Sequence, residues 1–286
     1  MKTTLLATLV ASSALLSACT STSVSEPSAM ISNKDKAVAV LNSIETGDTK
    51  AISYINSSNY TQHNLAVGDG LAGFGEVLHA LPKGSAKVKV VRAFEDGDYV
   101  FTQTDYNFFG PKVGFDVFRF DNGQIVEHWD NLIAKADKPN PSGHTQLDGA
   151  LTVTDLDKTA ENKALVSEFF NTVLVKGDYQ KMPQFFDGDH YIQHNPAIGD
   201  GLSGLGKAID EMAQHGIKMT FTKVHKVLGE GNFVLVISEG TFAGKATSYY
   251  DLFRVDNGKI AEHWDVMETI LPKSEWKNTN GKFGNL

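Results

Sequence analysis

The sequence predicts an α+β fold built twice, each copy running helices first and an antiparallel strand meander after. Three observations carry this. The segment "YTQHNLAVGDGLAGF" from Tyr60 returns as "YIQHNPAIGDGLSGL" from Tyr191, at an offset of 131 residues. "FDVFRFDNGQIVEHWD" from Phe115 returns as "YDLFRVDNGKIAEHWD" from Tyr250, at an offset of 135. Within each copy the apolar residues change from helical spacing to strand-like runs. Two copies at so long a period indicate duplicated domains and not a solenoid of small repeats.

The N-terminus comes first in order and stands outside the fold. Lys2 supplies a basic start and Leu5 to Leu16 form a short apolar run, closing on Leu16-Ser17-Ala18-Cys19. That ending resembles the lipobox of bacterial lipoproteins. The resemblance implies a signal peptide over 1–18, a lipidated Cys19, a tether over 19–31, and a place in the bacterial cell envelope, at the outer membrane or on the periplasmic side. Cys19 is the only cysteine, so a disulfide within the chain and a cysteine metal site are excluded.

The first domain is expected over 32–136. Ser32-Asn33-Lys34-Asp35 offers a capping start, and Ala37, Val38, Leu41 and Ile44 follow at helical spacing. A second helix carries Phe74, Val77, Leu78 and Leu81. Four strands close the copy, over 87–94, 100–104, 114–120 and 124–132. The join at 137–157, with two prolines and polar turn formers, reads as a linker. The second domain is expected over 158–273, with Leu165, Val166, Phe169, Phe170 and Val173, then Leu205, Ala208, Ile209 and Met212, as its helical faces. A C-terminal tail occupies 274–286.

Composition and motifs exclude several functions. The net charge of −8, with no basic run, argues against nucleic acid. Gly68-x-Gly70-x-x-Gly73 and Gly199-x-Gly201-x-x-Gly204 fit a dinucleotide fingerprint, but neither lies in a βαβ unit. They are read as the turn entering the second helix, and no cofactor is assigned.

The richest chemistry lies in the hairpin "DVFRFDNGQIVEHWD". A three-residue loop, Asp121-Asn122-Gly123, would pair Phe120 with Gln124, Phe118 with Val126 and Asp116 with His128. Asp116, Phe118, His128 and Asp130 then share one face, and Arg119, Glu127 and Trp129 the other. A two-residue Asn-Gly loop would set Asp116 beside Trp129 instead. The second copy repeats the set as Asp251, Phe253, His263 and Asp265 against Arg254, Glu262 and Trp264. Two carboxylates and a histidine beside phenylalanines suit acid–base chemistry, because an apolar wall raises an aspartate's pKa. A satisfied polar network is the other reading. A metal reading would use His63, His128, Asp116 and Asp130, but no spacing brings them together, and no metal is expected.

Tyr-x-Gln-His-Asn, Gly-Asp-Gly-Leu and Asp-x-Phe-Arg-x-Asp-Asn-Gly-x-Ile-x-Glu-His-Trp-Asp, each present twice, resemble the SnoaL-like polyketide cyclase family of the nuclear-transport-factor-2-like superfamily. The resemblance implies cone-shaped domains with a pocket between helices and a curved sheet. It also implies an acid–base role for Asp130 and Asp265. Where those cyclases carry a histidine, this chain has Asp116 and Asp251. Tyr60, His63 and Phe118, with Tyr191, His194 and Phe253, are expected to contact substrate at the pocket, the Gln and Asn amides tying the segment to backbone; the other reading of His63 and His194 is a structural turn that the histidine only caps.

Two functions follow. One is cofactor-free aldol-type cyclisation or isomerisation of a small apolar carbonyl compound. The other is non-catalytic binding of a small hydrophobic molecule at the envelope. In either, Trp129 and Trp264 should be covered where the two sheets pack together as an internal pseudo-dimer.

Overall fold

The structure is a computed structural model that describes residues 31–286; the leader, Cys19 and the tether up to residue 30 lie outside the described residues. Ser32 starts α1 (Asn33–Thr46), its Oγ accepting from the Asp35 amide at 3.0 Å, as the capping run predicts. Next come α2 (Thr49–Ile52), β1 (Thr61–Gln62) and α3 (Gly70–Ala80). Strands β2 (Lys87–Asp96), β3 (Tyr99–Asn107), β4 (Pro111–Asp121) and β5 (Gln124–Ala134) complete the first half. The second half has α4 (Thr159–Phe169), which runs on as a π turn over Phe170–Val175, then β6 (Ile192–Gln193) and α5 (Gly201–Gln214). It ends in β7 (Met219–Glu230), β8 (Phe233–Phe242), β9 (Lys245–Asp256) and β10 (Lys259–Thr269).

The two sheets have matching orders, β1-β5-β4-β3-β2 and β6-β10-β9-β8-β7. The four long strands of each form the antiparallel meander, and the two-residue edge strands run parallel to β5 and β10. Those edge strands are too short for periodicity to mark. No helix among the described residues is long and apolar enough to cross a membrane.

The hairpin corrects the expected register. Its loop has two residues, Asn122 (φ 48°) and Gly123 (φ 75°), closed by the pair Asp121–Gln124. Positive φ at both central residues is the primed turn that suits a twisted hairpin. A bulge then takes up one residue of β5, so that Ile125 and Val126 are both buried. Phe118 consequently faces His128, and Asp116 faces Asp130. The bulge cancels the change of parity made by the shorter loop, so Asp116, Phe118, His128 and Asp130 still share a face. β9 and β10 repeat this, with Asp251 opposite Asp265 and Phe253 opposite His263.

Each sheet has one face under its own helices. Ala37, Val40, Leu41, Tyr60, Tyr106 and Phe118 cluster there in the first half, and Val166, Phe169, Phe170, Tyr191, Val236 and Phe253 in the second. The opposite faces of both sheets share one cluster, which holds Phe101, Phe115 and Trp129 with Phe233, Leu252 and Trp264. Both tryptophans are 0% exposed. Residues Ser32–Leu286 accordingly form one compact unit.

The segments read as linker and tail act as straps. Asn140 donates to the carbonyls of Gln193 and Ile198, and Asn278 donates to those of Asn64 and Val67. The indole of Trp264 donates to the Asp148 carbonyl at 2.9 Å, and that of Trp129 to the Gly284 carbonyl at 3.0 Å. Gly149 (φ 92°) has to be glycine, since a Cβ would lie 2.1 Å from Glu262 Oε1.

Candidate active site

Strand alternation builds the site from two short runs. β1 pairs with β5 so that Gln62 lies beside His128, and β6 pairs with β10 so that Gln193 lies beside His263. Tyr60, Gln62 and Asn64 therefore reach the helix-covered face, while His63 between them is sent to the other. This corrects the expected role of the histidines. His63 is 1% exposed, lies flat on Trp129, and uses Nε2 on Glu127 at 2.9 Å and Nδ1 on the Gly281 carbonyl at 2.6 Å. His194 is held by Glu262 and the Thr145 carbonyl, against Trp264, and its Nδ1 also meets Asp148 Oδ1 at 2.8 Å. Neither imidazole lies on the face that carries Asp116, Asp130, Asp251 and Asp265.

The Gln and Asn amides tie the segment to backbone, as expected, and the Asn amides also reach the site carboxylates. Asn64 Nδ2 donates to Asp130 Oδ2 at 2.8 Å, and Asn195 Nδ2 donates to both oxygens of Asp265, at 3.0 and 2.8 Å. Asn195 Oδ1 takes the Ala197 amide, which fixes which end of the side chain faces the carboxylate. Gln193 Oε1 accepts the backbone amides of His194 and Asn195, both at 2.9 Å. It therefore faces His263 Nδ1 (3.1 Å) as an acceptor, and Nδ1 carries the proton. A signal for these amides was present in the period-two spacing of Tyr-x-Gln-x-Asn.

The tautomer decides the chemistry of the next contact. With Nδ1 protonated, His263 Nε2 and Asp251 Oδ1, 3.0 Å apart, hold a single proton between them. His128 Nε2 and Asp116 Oδ1 make the same pair at 3.2 Å, with Gln62 Oε1 beneath Nδ1 at 3.1 Å. Asp251 is 5% exposed, and burial raises its carboxyl pKa, opposed by the His263 contact. Phe118 and Phe253 stack on these histidines at 4.7 Å, and Tyr60 and Tyr191 complete the wall. Burial, then the nearby aspartates, pushes both phenols up.

The structure brings together Asp116, His128, Asp130, Phe118 and Tyr60 in the first half, and Asp251, His263, Asp265, Phe253 and Tyr191 in the second. The arginines stay on the other face, where Arg119 and Arg254 pair with Glu127 and Glu262. Among the described residues two groups have the donors to hold a metal ion: Asp116, His128 and Asp130, without His63, and, beside a strap, His144, Asp148 and His194. The glycine fingerprint has a steric purpose. A Cβ on Gly73 would lie 1.8 Å from the Gly68 carbonyl oxygen, and one on Gly204 would lie 2.3 Å from that of Gly199.

Comparison with known proteins places part of this chain. Residues 166–263 match the SnoaL-like domain. That stretch includes Tyr191, Gln193, Asn195, Asp251 and His263. No curated protein matches the chain. Among solved structures, it is similar to a nuclear-transport-factor-2-like protein from Cytophaga hutchinsonii at 15% identity, over 36% of this chain and 91% of that one, with a TM-score of 0.32. A proposed ketosteroid isomerase from Kribbella flavida is 13% identical over 40% of this chain and 83% of its own, with a TM-score of 0.33. IdmH, a proposed polyketide cyclase from Streptomyces antibioticus, is 16% identical over 36% of this chain and 92% of its own, with a TM-score of 0.32.

Proposed function

We propose that the chain carries out cofactor-free acid–base chemistry on a small apolar carbonyl compound, as an isomerisation or aldol-type cyclisation, from two SnoaL-like domains joined as an internal pseudo-dimer. One observation carries the reading. Asp251 is a buried carboxyl group that shares a proton with His263 and has no lysine or arginine within salt-bridge distance among the described residues. A carboxylate fixed by arginine would be structural; one that exchanges a proton with a buried imidazole is poised for transfer.

The roles follow from the bonds. Asp265, whose two oxygens Asn195 Nδ2 holds in place, takes the proton from the carbon next to the substrate carbonyl. The electron pair moves onto the carbonyl oxygen, where the Asp251–His263 pair supplies its shared proton to give the enol. Delivery of the Asp265 proton to a different carbon, as the enol O–H returns its proton to the Asp251–His263 pair, completes an isomerisation; attack of the enol carbon on a second carbonyl, with the Asp265 proton passing to the new alkoxide and the O–H proton returning to the pair, completes a cyclisation. Leu202, Leu205, Ile209 and Met212 line one side of α5, and none is fully buried, which suits an apolar substrate. In the proposal the protein works at the bacterial envelope, anchored through Cys19.

Turnover of a panel of small carbonyl compounds by Asp265→Asn tests this. The expected loss is about 10²–10⁴-fold, the usual contribution of a general base. Unchanged turnover would remove Asp265 from the mechanism. Non-catalytic binding is the second reading. The buried Asp251 Oδ2, which has no partner among the described residues, would serve binding as well as chemistry, whereas each Asp116 oxygen already has a protein hydrogen-bond partner.

A further inference from the structure

The same aspartate stands in different surroundings in the two halves. In the first, Asp116 Oδ2 accepts from the Tyr106 hydroxyl at 2.6 Å and from Thr102 Oγ1 at 3.5 Å. Both donors come from β3, where Thr102 faces Asp116 in the ladder. The corresponding residues of β8 are Val236, which faces Asp251, and Gly240. Neither has a hydroxyl. Asp251 Oδ2 accordingly has no hydrogen-bond partner among the described residues, although it is buried.

The tyrosine has changed strands. In the first half Tyr106 packs over Gly114 of β4, where a Cβ would stand 3.0 Å from Tyr106 Cε2. The position corresponding to Gly114 is Tyr249 on β9, so a Tyr–Gly pair has become a Gly–Tyr pair. Gly240 cannot take the side chain back, because a Cβ there would lie 1.8 Å from the Thr220 carbonyl oxygen. Tyr249 stands two residues before Asp251 on the same strand and so shares its face. Its ring is 2% exposed and lies 4.6 Å from Phe221. Its hydroxyl makes no hydrogen bond of good geometry among the described residues, although the Thr247 hydroxyl lies near it. Burial pushes the phenol up to about 12, with the Thr247 hydroxyl opposing and the Asp251 charge adding.

A buried polar atom without a partner costs about 1–3 kcal/mol. Here two such atoms sit on one face beside the aspartate–histidine pair; the first half satisfies both oxygens of Asp116 and leaves only Asp130 Oδ1 without a hydrogen bond in its site, with the Lys282 ammonium 3.9 Å away. We propose that the two halves are not equivalent: the second site alone takes a ligand, a compact apolar molecule whose single polar oxygen meets the Tyr249 hydroxyl and Asp251 Oδ2, while the first is a closed copy sealed by Tyr106 and Thr102. Binding of this kind stands without turnover; only the chemistry that follows rests on the acid–base reading above.

The test is titration of the full-length chain with 2-naphthol, followed by its fluorescence and by calorimetry. The naphthol has an apolar body and one hydroxyl, which accepts from Tyr249 and satisfies Asp251 in either protonation state. One molecule should bind per chain. Tyr249→Phe and Asp251→Asn should each raise Kd at least about tenfold, the effect of about 1.4 kcal/mol. Tyr106→Phe and Thr102→Val should leave Kd within about twofold, since they sit at the closed copy. Circular dichroism melts establish that each variant is folded, and Asp251→Asn decides if Tyr249→Phe is not. Two molecules bound per chain, no binding at millimolar naphthol, or equal loss on Tyr106→Phe would overturn the proposal. Binding as expected with no turnover of any carbonyl compound would remove the acid–base reading and leave this one standing. Two molecules bound per chain, with turnover lost on Asp251→Asn, would do the reverse.

Discussion

His194 lies face to face with Trp264, ring centroids 4.6 Å apart and planes 6° from parallel, and its Nε2 meets Glu262 Oε1 at 2.9 Å. Glu262 also takes Arg254 Nε at 2.7 Å, so one buried carboxylate anchors an imidazole and a guanidinium on the sheet face opposite Asp251 and His263. Burial pushes Glu262 up, but its bonds to His194 and Arg254 outweigh that and leave its pKa lowered. A lowered carboxyl pKa contributes stability above the unfolded-state value, about 4.3, that is lost as pH falls through the folded-state value. Glu262→Gln should flatten the acid limb of the stability curve, and Glu262→Ala should cost about 3–5 kcal/mol by urea denaturation. An unchanged acid limb would mean that this carboxylate does not anchor the fold.

Asp251 has the opposite sign. Its raised pKa means that the folded state holds a proton the unfolded chain releases. Stability therefore falls as pH rises from the unfolded-state value, about 3.9, through the raised folded one. Asp251→Asn removes that loss. The variant should melt higher than wild type at neutral pH, and the difference should vanish at acid pH, as read by calorimetric melts across pH.

Removing residues 278–286 should loosen the first half more than the second, which the strap touches through Lys282 on Glu268 and Phe283 on His225. The strap supplies hydrogen bonds from Asn278, Asn280, Lys282 and Asn285 and the acceptor for Trp129, each worth about 1 kcal/mol. Amide exchange should quicken in β1 and β5 by far more than in β6 and β10. Equal protection in both halves would show that the strap adds nothing.

The anchor has its own measurement. Mature protein should begin at a lipidated Cys19 and fractionate with membranes, and Cys19→Ser should abolish both. A single acyl chain holds only marginally, so the prediction requires the multiply acylated form. Mass spectrometry of an unmodified N-terminus beyond residue 19 would end it.

Much of this was legible in the sequence because it was written twice. The meander follows from period-two alternation; the face shared by Asp116, His128 and Asp130 was reached through an expected three-residue loop, and the observed two-residue loop gives the same face only because the bulge restores the parity. The bulge at Val126 was not legible, because a bulge leaves no composition mark distinct from two consecutive buried residues. The placing of His63 depended on β1, two residues long, whose pairing comes from contact with β5 and not from its own pattern. The strap role of 137–157 was hidden because prolines and polar residues that cover a sheet look the same as those that span a gap. The exchange of Tyr106 and Gly114 for Gly240 and Tyr249 was visible in the letters, but only the sheet shows that they are neighbours.

The strap over 278–286 also fixes an order in time. Its partners Asn64, Val67 and Trp129 leave the ribosome long before it does, with the whole second half made in between. During that interval the first half stands without the segment that covers its tryptophan, and chains are made at about 5–20 residues per second. The earlier half is thus finished last, and the nascent protein depends on its second half to keep an apolar sheet face away from other chains until the strap arrives.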